Sequence, residues 1–282
     1  MVKKVATYIA IGLIVIGVGL AFIGMNMKAF DFNVLFSDTP YEKKIYDVTE
    51  DFDNINLTIG SESVEILLSD DNDTHFVCYE NDSITHEVSV NGDTLKIKYI
   101  NLKKVHIGIY WGVDDDRTAK LYLPKDKYNE FIINLGSGDI AFDSFSFDSI
   151  NAEVGSGDIE ITNCSVSGDA EFNTGSGKVI IGDFTCDNGS FKAASGDYEL
   201  TNVICSGDLD LEVSSGDIEM FKCDAENMTI SVGSGTITGT VLSEYSYNTK
   251  AGSGDIEVPS NGNDGTCKID VGSGDVNIAL AK

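Results

Sequence analysis

The sequence predicts an all-β protein, a single-stranded parallel β-helix (a β-solenoid with coils of 19–20 residues) that follows one N-terminal transmembrane helix. Three observations predict it. A Gly-Ser-Gly type motif returns eight times from residue 136 onward, apolar residues recur at fixed offsets from its serine, and one long uncharged apolar run opens the chain.

The apolar run comes first. From Val5 to Met25 there are 21 residues without a charge, enough at about 1.5 Å per residue to cross a hydrocarbon core of roughly 30 Å. Lys3 and Lys4 just before it favour a cytoplasmic N-terminus. Residues 1–4 then form a cytoplasmic flank and residues 5–25 a retained anchor. The rest of this single-pass protein is expected outside the cell membrane. A cleaved signal peptide is the competing reading, but Gly24-Met25-Asn26-Met27-Lys28 offers no small-residue cleavage pattern.

Residues 26–40 read as a spacer and residues 41–135 as an irregular β cap. Within the cap, Ile55 to Ile66 already alternates around Gly60-Ser61-Glu62-Ser63, a degenerate corner, so the solenoid can begin here. Asn91-Gly92 lies between two alternating runs, Thr85–Val90 and Thr94–Lys98, which is a hairpin signal. A cap is needed because the first coil of a solenoid otherwise exposes its apolar interior and an unpaired strand edge. Trp111, with Ile107–Tyr110 before it and Asp114–Asp116 after it, reads as packing over this cap beside a solvated loop.

Residues 136–282 form the solenoid proper. The motif serines are 137, 156, 176, 195, 215, 234, 253 and 273, and a fixed period of this length is the mark of a repeat architecture. Three residues after the serine stand Ile140, Ile159, Val179, Tyr198, Ile218, Ile237, Ile256 and Val276. Five after it the column runs from Phe142 to Ile278 and is apolar except at Gly239. Two and four before it the residues are again mostly apolar, with polar residues between them. Such alternation requires strands with one buried face. Equivalent residues in every copy imply coils stacked in register, each adding about 4.8 Å. A third short strand is expected at the eighth and tenth positions, where Phe145, Phe147, Val166, Phe184 and Val203 fall. The glycines supply the backbone angles of a sharp corner. No Gly-Lys-Ser/Thr follows them, which argues against a phosphate-cradling loop.

After each corner the second position reads Asp139, Asp158, Lys178, Asp197, Asp217, Thr236, Asp255 and Asp275. Like charges about 5 Å apart repel by roughly 1 kcal/mol even in water, so something must offset the stacking. One reading has each aspartate capping the glycine turn through backbone N–H bonds, with Lys178 as a counter-charge. The other has Asp139, Asp158, Asp197, Asp217, Asp255 and Asp275, with nearby glutamates, holding Ca²⁺, a hard cation that takes several oxygen ligands. The turn role is the stronger of the two, and no cofactor is otherwise expected.

The formal charge of −27, from 46 acids against 19 bases with Arg117 the only arginine, argues against nucleic acid as a partner. The cysteines are 78, 164, 186, 205, 223 and 267. They show no metal-ligand spacing, and five of them fall on inward columns, so they read as buried free thiols, with inter-coil disulfides as the alternative. His75, His86 and His106 show no ligand spacing either, and Asp70-Asp71-Asn72-Asp73 lacks the glycine and distal glutamate of an EF-hand. A glycan-active enzyme on a β-helix would need a local carboxylate pair or an arginine-lysine cluster. Here the carboxylates recur coil after coil, so no catalytic residue is expected.

The N-terminal span, the segment ending in Leu121-Tyr122-Leu123-Pro124-Lys125 and the serial Gly-Ser-Gly-Asp-Ile corners resemble a bacterial family of "putative adhesin" β-strand-repeat proteins, domain-of-unknown-function family 4097, over residues 41–282. The resemblance implies an exported β-helical domain, mostly in Gram-positive bacteria, and no catalytic residues. The expected function is a non-catalytic, membrane-anchored cell-envelope scaffold or adhesin. A Ca²⁺-responsive surface protein and a glycan-active enzyme are the alternatives. The expected partners are the membrane through the N-terminal helix, a cell-wall or protein partner at the surface, and a second copy of the chain.

Overall fold

The computed structural model describes residues 41–102 and 117–282. The predicted anchor and spacer, His106, Trp111 and Asp114–Asp116 lie outside the described residues. Among the described residues there is no helix, and so none long and apolar enough to cross a membrane.

The N-terminal part contributes β1 (Glu42–Val48), β2 (Asn54–Ile59), β3 (Val64–Leu68), β4 (Thr74–Glu80), β5 (Ile84–Asn91), β6 (Thr94–Asn101) and β7 (Ala119–Leu123). The repeats then supply β8 (Lys127–Ser137), β9 (Ile140–Asp143), β10 (Ser146–Ser156), β11 (Ile159–Thr162), β12 (Ser165–Val166), β13 (Asp169–Ser176) and β14 (Val179–Cys186). They continue through β15 (Asn188–Ser195), β16 (Tyr198–Cys205), β17 (Asp208–Ser215), β18 (Ile218–Cys223), β19 (Asn227–Ser234) and β20 (Ile237–Val241). The last four strands are β21 (Ser246–Ser253), β22 (Ile256–Glu257), β23 (Thr266–Ser273) and β24 (Val276–Leu280).

One face of the solenoid is a parallel stack in the order β6-β2-β8-β10-β13-β15-β17-β19-β23-β21. A second face follows the corner in the matching order β7-β3-β9-β11-β14-β16-β18-β20-β24-β22. The motif serines are in direct register, Ser137 beside Ser156, Ser156 beside Ser176, and so on to Ser215 beside Ser234. The columns drawn from sequence therefore become ladders of side chains in one continuous core.

A second bend separates this face from the short third side. At the seventh position after the serine, Ser144, Asn163, Asp183, Asn202 and Lys222 all adopt left-handed backbone, with φ between 49° and 67°. Asparagine and aspartate tolerate this region better than other side chains. They also bond across coils: the Asn163 amide donates to Asp143 and the Asn202 amide to Asp183, both at 2.7 Å. The Asn163 bond, with those from Thr162 and Ser144, holds the Asp143 carboxyl below the usual carboxylate range. Beyond the bend Phe145, Phe147, Val166, Phe184, Cys186, Val203 and Cys205 point inward and close the third side.

The chain order and the stacking order part company at both ends. At the N-terminal end β2 and β3 lie directly on the first Gly-Ser-Gly coil, and β6 and β7 form a further coil outside them. β5 closes the edge of β6, and β4, followed by β1, closes the edge of β7, all antiparallel. The β5–β6 hairpin turns on Gly92-Asp93, since Asn91 already pairs with Thr94.

At the other end, stacking of successive repeats fails. β19 pairs with β23 rather than β21, so the last repeat inserts between its two predecessors and β21–β22 becomes the outermost coil. Two features account for this. After Ser234 and Ser253 the third side is missing: Tyr245 leads straight into β21, and the loop 258–265 leads back into β23. Tyr245 fills the vacated interior, fully buried, its hydroxyl donating to Asp224 at 2.7 Å. The repeat left at the edge also carries the weakest apolar set. Thr249, Ala251, Ile256 and Val258 are half-buried there, whereas Ile269, Val271, Val276 and Ile278 of the inserted repeat are buried.

All six cysteines are buried and free. Burial pushes the Cys164 thiol up to about 11 and the Cys267 thiol to about 12, which makes them poor nucleophiles. A colorimetric thiol reagent is therefore expected to titrate less than one thiol in the native protein and six after unfolding. Fast reaction of two or more native thiols would contradict the inward columns.

Candidate functional site

The six predicted site aspartates, Asp139, Asp158, Asp197, Asp217, Asp255 and Asp275, are all exposed on one ridge beside the glycine corners. Their turn bonds run between coils rather than within one. Asp139 Oδ1 accepts the backbone N–H of Asp158 at 2.9 Å, and Asp158 accepts that of Lys178 at 2.7 Å. Asp197 accepts from Asp217 at 2.9 Å, Asp217 from Thr236 at 2.7 Å, and Asp275 from Asp255 at 3.0 Å. Each bond satisfies an amide that the corner would otherwise leave unpaired. Lys178 interrupts the ladder as expected, but its ammonium pairs with Glu199, which raises its pKa.

The ladder role gives a clean separation of the two readings. Asn keeps the acceptor oxygen and loses the charge, so Asp217→Asn is expected to leave the unfolding midpoint nearly unchanged. Asp217→Ala should cost about 1 kcal/mol by stranding the Thr236 amide. Ca²⁺ or chelator should not move the midpoint. A Ca²⁺-dependent rise that Asp217→Asn removes would favour the cation reading.

Among the described residues, two other groups bring metal-competent atoms together, and neither includes a ladder aspartate. One is Asp71, Asp73 and His75 on the surface. Both ring nitrogens of His75 face carboxylates, Asp47 at 2.8 Å and Asp71 at 3.0 Å, and these bonds raise its pKa. The other is Cys78, Glu80 and His86, buried in the cap. Sequence spacing alone does not flag this second group, because His86 arrives from the next strand. The available signal is the strand period, which places Cys78 and Glu80 on one inward face of β4.

A groove of about 710 Å³ runs along the stack just before the corners. Its floor is the column Gly136, Gly155, Gly175, Ala194 and Ser214. Its wall is the polar column Thr58, Asn134, Glu153, Asn173, Lys192 and Glu212. Register pairs place these six wall residues on consecutive coils, a span of roughly 24 Å at the spacing of a parallel sheet. The floor is low for a backbone reason. A Cβ at Gly155 would lie 2.4 Å from the Gly136 carbonyl oxygen, and one at Gly175 equally close to that of Gly155. From sequence these glycines read as corner geometry alone. Their second effect, a trough with evenly spaced polar groups, follows only once the coils are stacked.

A protein from Bacteroides fragilis described as a "putative adhesin" has the same fold, with a TM-score of 0.55 at 15% identity, covering 86% of this chain and 98% of that one. Two proteins from Parabacteroides distasonis align less closely. A "putative lipid binding protein" reaches 0.49 at 17% identity, over 84% of this chain and 97% of that one. A "putative adhesin" reaches 0.45 at 14% identity, over 86% and 98%. No functionally curated protein matches the sequence. The Toastrack DUF4097 family model matches residues 52–282, most of the chain, and the chain belongs to that family.

Proposed function

We propose that the protein is a non-catalytic adhesion module of the cell envelope, held at the membrane by its N-terminal apolar run, and that its outer groove takes a linear cell-wall polymer. The observation that carries this reading is the groove itself. It crosses six coils and presents a polar side chain on each, at a spacing comparable to one unit of a sugar chain. Asn134, Asn173 and Thr58 offer hydrogen bonds, while Glu153, Lys192 and Glu212 offer charges of both signs. A polymer that repeats at a similar interval can use many weak contacts together, as multivalent binding requires. The ladder aspartates serve the corners, which leaves recognition to the groove and to the cap. The description of the Bacteroides fragilis protein supports the same reading.

Co-sedimentation with purified cell-wall sacculi tests it. The protein is expected to bind, and the double substitution Asn173→Asp with Lys192→Glu should weaken binding at least tenfold. Thr201→Glu, exposed on the second face, should leave it unchanged. Equal loss from both, or no binding by the unsubstituted protein, would remove the groove from the account. Release of soluble sugar on incubation would contradict the non-catalytic assignment.

A further inference from the structure

The cap contains a polar cluster that the adhesion reading does not use. Cys78 and Glu80 lie on the inward face of β4, and His86 comes from β5. The Cys78 side chain is fully buried, and Glu80 and His86 are each less than a tenth exposed. His86 Nδ1 lies 3.2 Å from Glu80 Oε1, and the Cys78 sulfur lies 4.0 Å from the same oxygen. On its far side, His86 Nε2 is 2.6 Å from Glu62 Oε1, a carboxylate of the first degenerate corner. Glu80 is itself fixed by the Tyr46 hydroxyl and the His86 backbone N–H, both donating at 2.7 Å.

We infer that Cys78, Glu80 and His86 form a binding site for a divalent transition metal of the zinc class, with Glu62 as the positioning carboxylate of His86. Four observations converge. The donor set of one sulfur, one nitrogen and one oxygen suits a borderline-soft ion better than Ca²⁺ or Mg²⁺. Metal-ligand lengths of about 2.0 Å put tetrahedral nitrogen and oxygen ligands roughly 3.3 Å apart, close to the 3.2 Å found between His86 and Glu80. A sulfur at about 2.3 Å would sit roughly 3.5 Å from that oxygen, so Cys78 has about 0.5 Å to close. The fourth observation is independent of the cluster: a metal-bound histidine usually donates its other N–H to a carboxylate, and Glu62 stands there already.

The ion takes the place of the hydrogen bond between His86 Nδ1 and Glu80 Oε1. With the ion on Nδ1, the neutral imidazole carries its one proton on Nε2 and donates it to Glu62, while the Cys78 thiol proton passes to the buffer and leaves a thiolate on the metal. A cavity of about 330 Å³ lined by Glu62, Tyr79, Ile84, Tyr99 and Arg117 adjoins the cluster at Glu62. The bound ion would clasp β4, β5 and the corner at Glu62, the point where the antiparallel cap meets the coils.

Titration of the full-length protein in detergent with Co²⁺ as the probe tests the assignment. Binding should produce a thiolate-to-cobalt charge-transfer band in the near ultraviolet and should raise the unfolding midpoint by several degrees. Cys78→Ser should abolish the band, and Glu62→Gln should weaken binding about 10- to 100-fold while the band survives at saturation. Zn²⁺ should displace Co²⁺. Far-ultraviolet circular dichroism of Cys78→Ser checks that the variant is folded. Absence of the band in the unsubstituted protein, or its persistence in folded Cys78→Ser, would overturn the site. Binding without the band, as the oxygen-rich Asp71/Asp73/His75 surface would give, counts against it as well.

Discussion

Replacing Gly216 by alanine is expected to cost at least about 3 kcal/mol or to prevent folding, because two penalties act at one atom. The residue has φ +146°, and a Cβ there would lie 2.0 Å from the Gly196 carbonyl oxygen of the coil below. The glycine after the motif serine is present in all eight repeats, at 138, 157, 177, 196, 216, 235, 254 and 274. The glycine before it is replaced by Ala194 and Ser214 in two of them. Gly155→Ala also meets a backbone oxygen, that of Gly136, but it lacks the positive-φ penalty and lies in a column that elsewhere admits Ala194 and Ser214, so it should cost less than Gly216→Ala, about 1–3 kcal/mol. Urea midpoints of the two variants check the contrast. Equal losses would mean that the corner is not set by the glycine following the serine.

Phe191→Ala should cost about 3–5 kcal/mol. Phe191 is fully buried in the middle of the stack, with ring centroids 5.2 Å from Phe172, 6.5 Å from Phe184 and 6.3 Å from Tyr198. The cavity it leaves is flanked by coils on both sides that cannot collapse without losing register. Because each coil contacts only its neighbours, the defect should also divide the stack into two units that unfold separately. A second transition in thermal or urea unfolding would report that division. Phe221→Ala gives the comparison: that ring is 52% exposed, and its loss should stay within about 0.5 kcal/mol.

Much of this fold is legible because solenoid stacking converts a sequence column directly into a ladder in space. The residues three and five after each serine could be assigned to the interior from alternation alone, and the register of Ser137 with Ser156 through Ser215 with Ser234 follows from the repeat. The left-handed bend at Asn163, Asp183 and Asn202 has a compositional signal, the asparagine and aspartate, which the apolar columns overshadow. The exchanged order of the last two repeats was visible only indirectly. In the repeat of Ser253 the eighth and tenth positions are Asn261 and Asn263, so no third side can form, and Thr249 and Ala251 weaken its first side. Those residues mark an edge coil, but the chain position of Ser273 suggests otherwise.

The candidate sites were less legible. The ladder aspartates could be named from sequence, yet their bonds to the next coil's amides depend on stacking geometry rather than on local turn chemistry. Neither the groove nor the Cys78/Glu80/His86 cluster has a sequence motif. The groove arises from glycines on separate coils, and the cluster from two strands joined by a tight turn.

The most direct test of the stacked, in-register solenoid, with its last repeat inserted, is disulfide cross-linking between serine positions at the C-terminal end. Ser234 lies beside Ser273, and Ser273 beside Ser253. Neighbouring coils place Cα atoms about 4.8 Å apart and alternate coils roughly 9.6 Å apart, and a disulfide needs less than about 7 Å. Ser234→Cys with Ser273→Cys is expected to cross-link under mild oxidation, and Ser234→Cys with Ser253→Cys is expected not to. The reverse result would restore stacking in chain order and contradict the insertion.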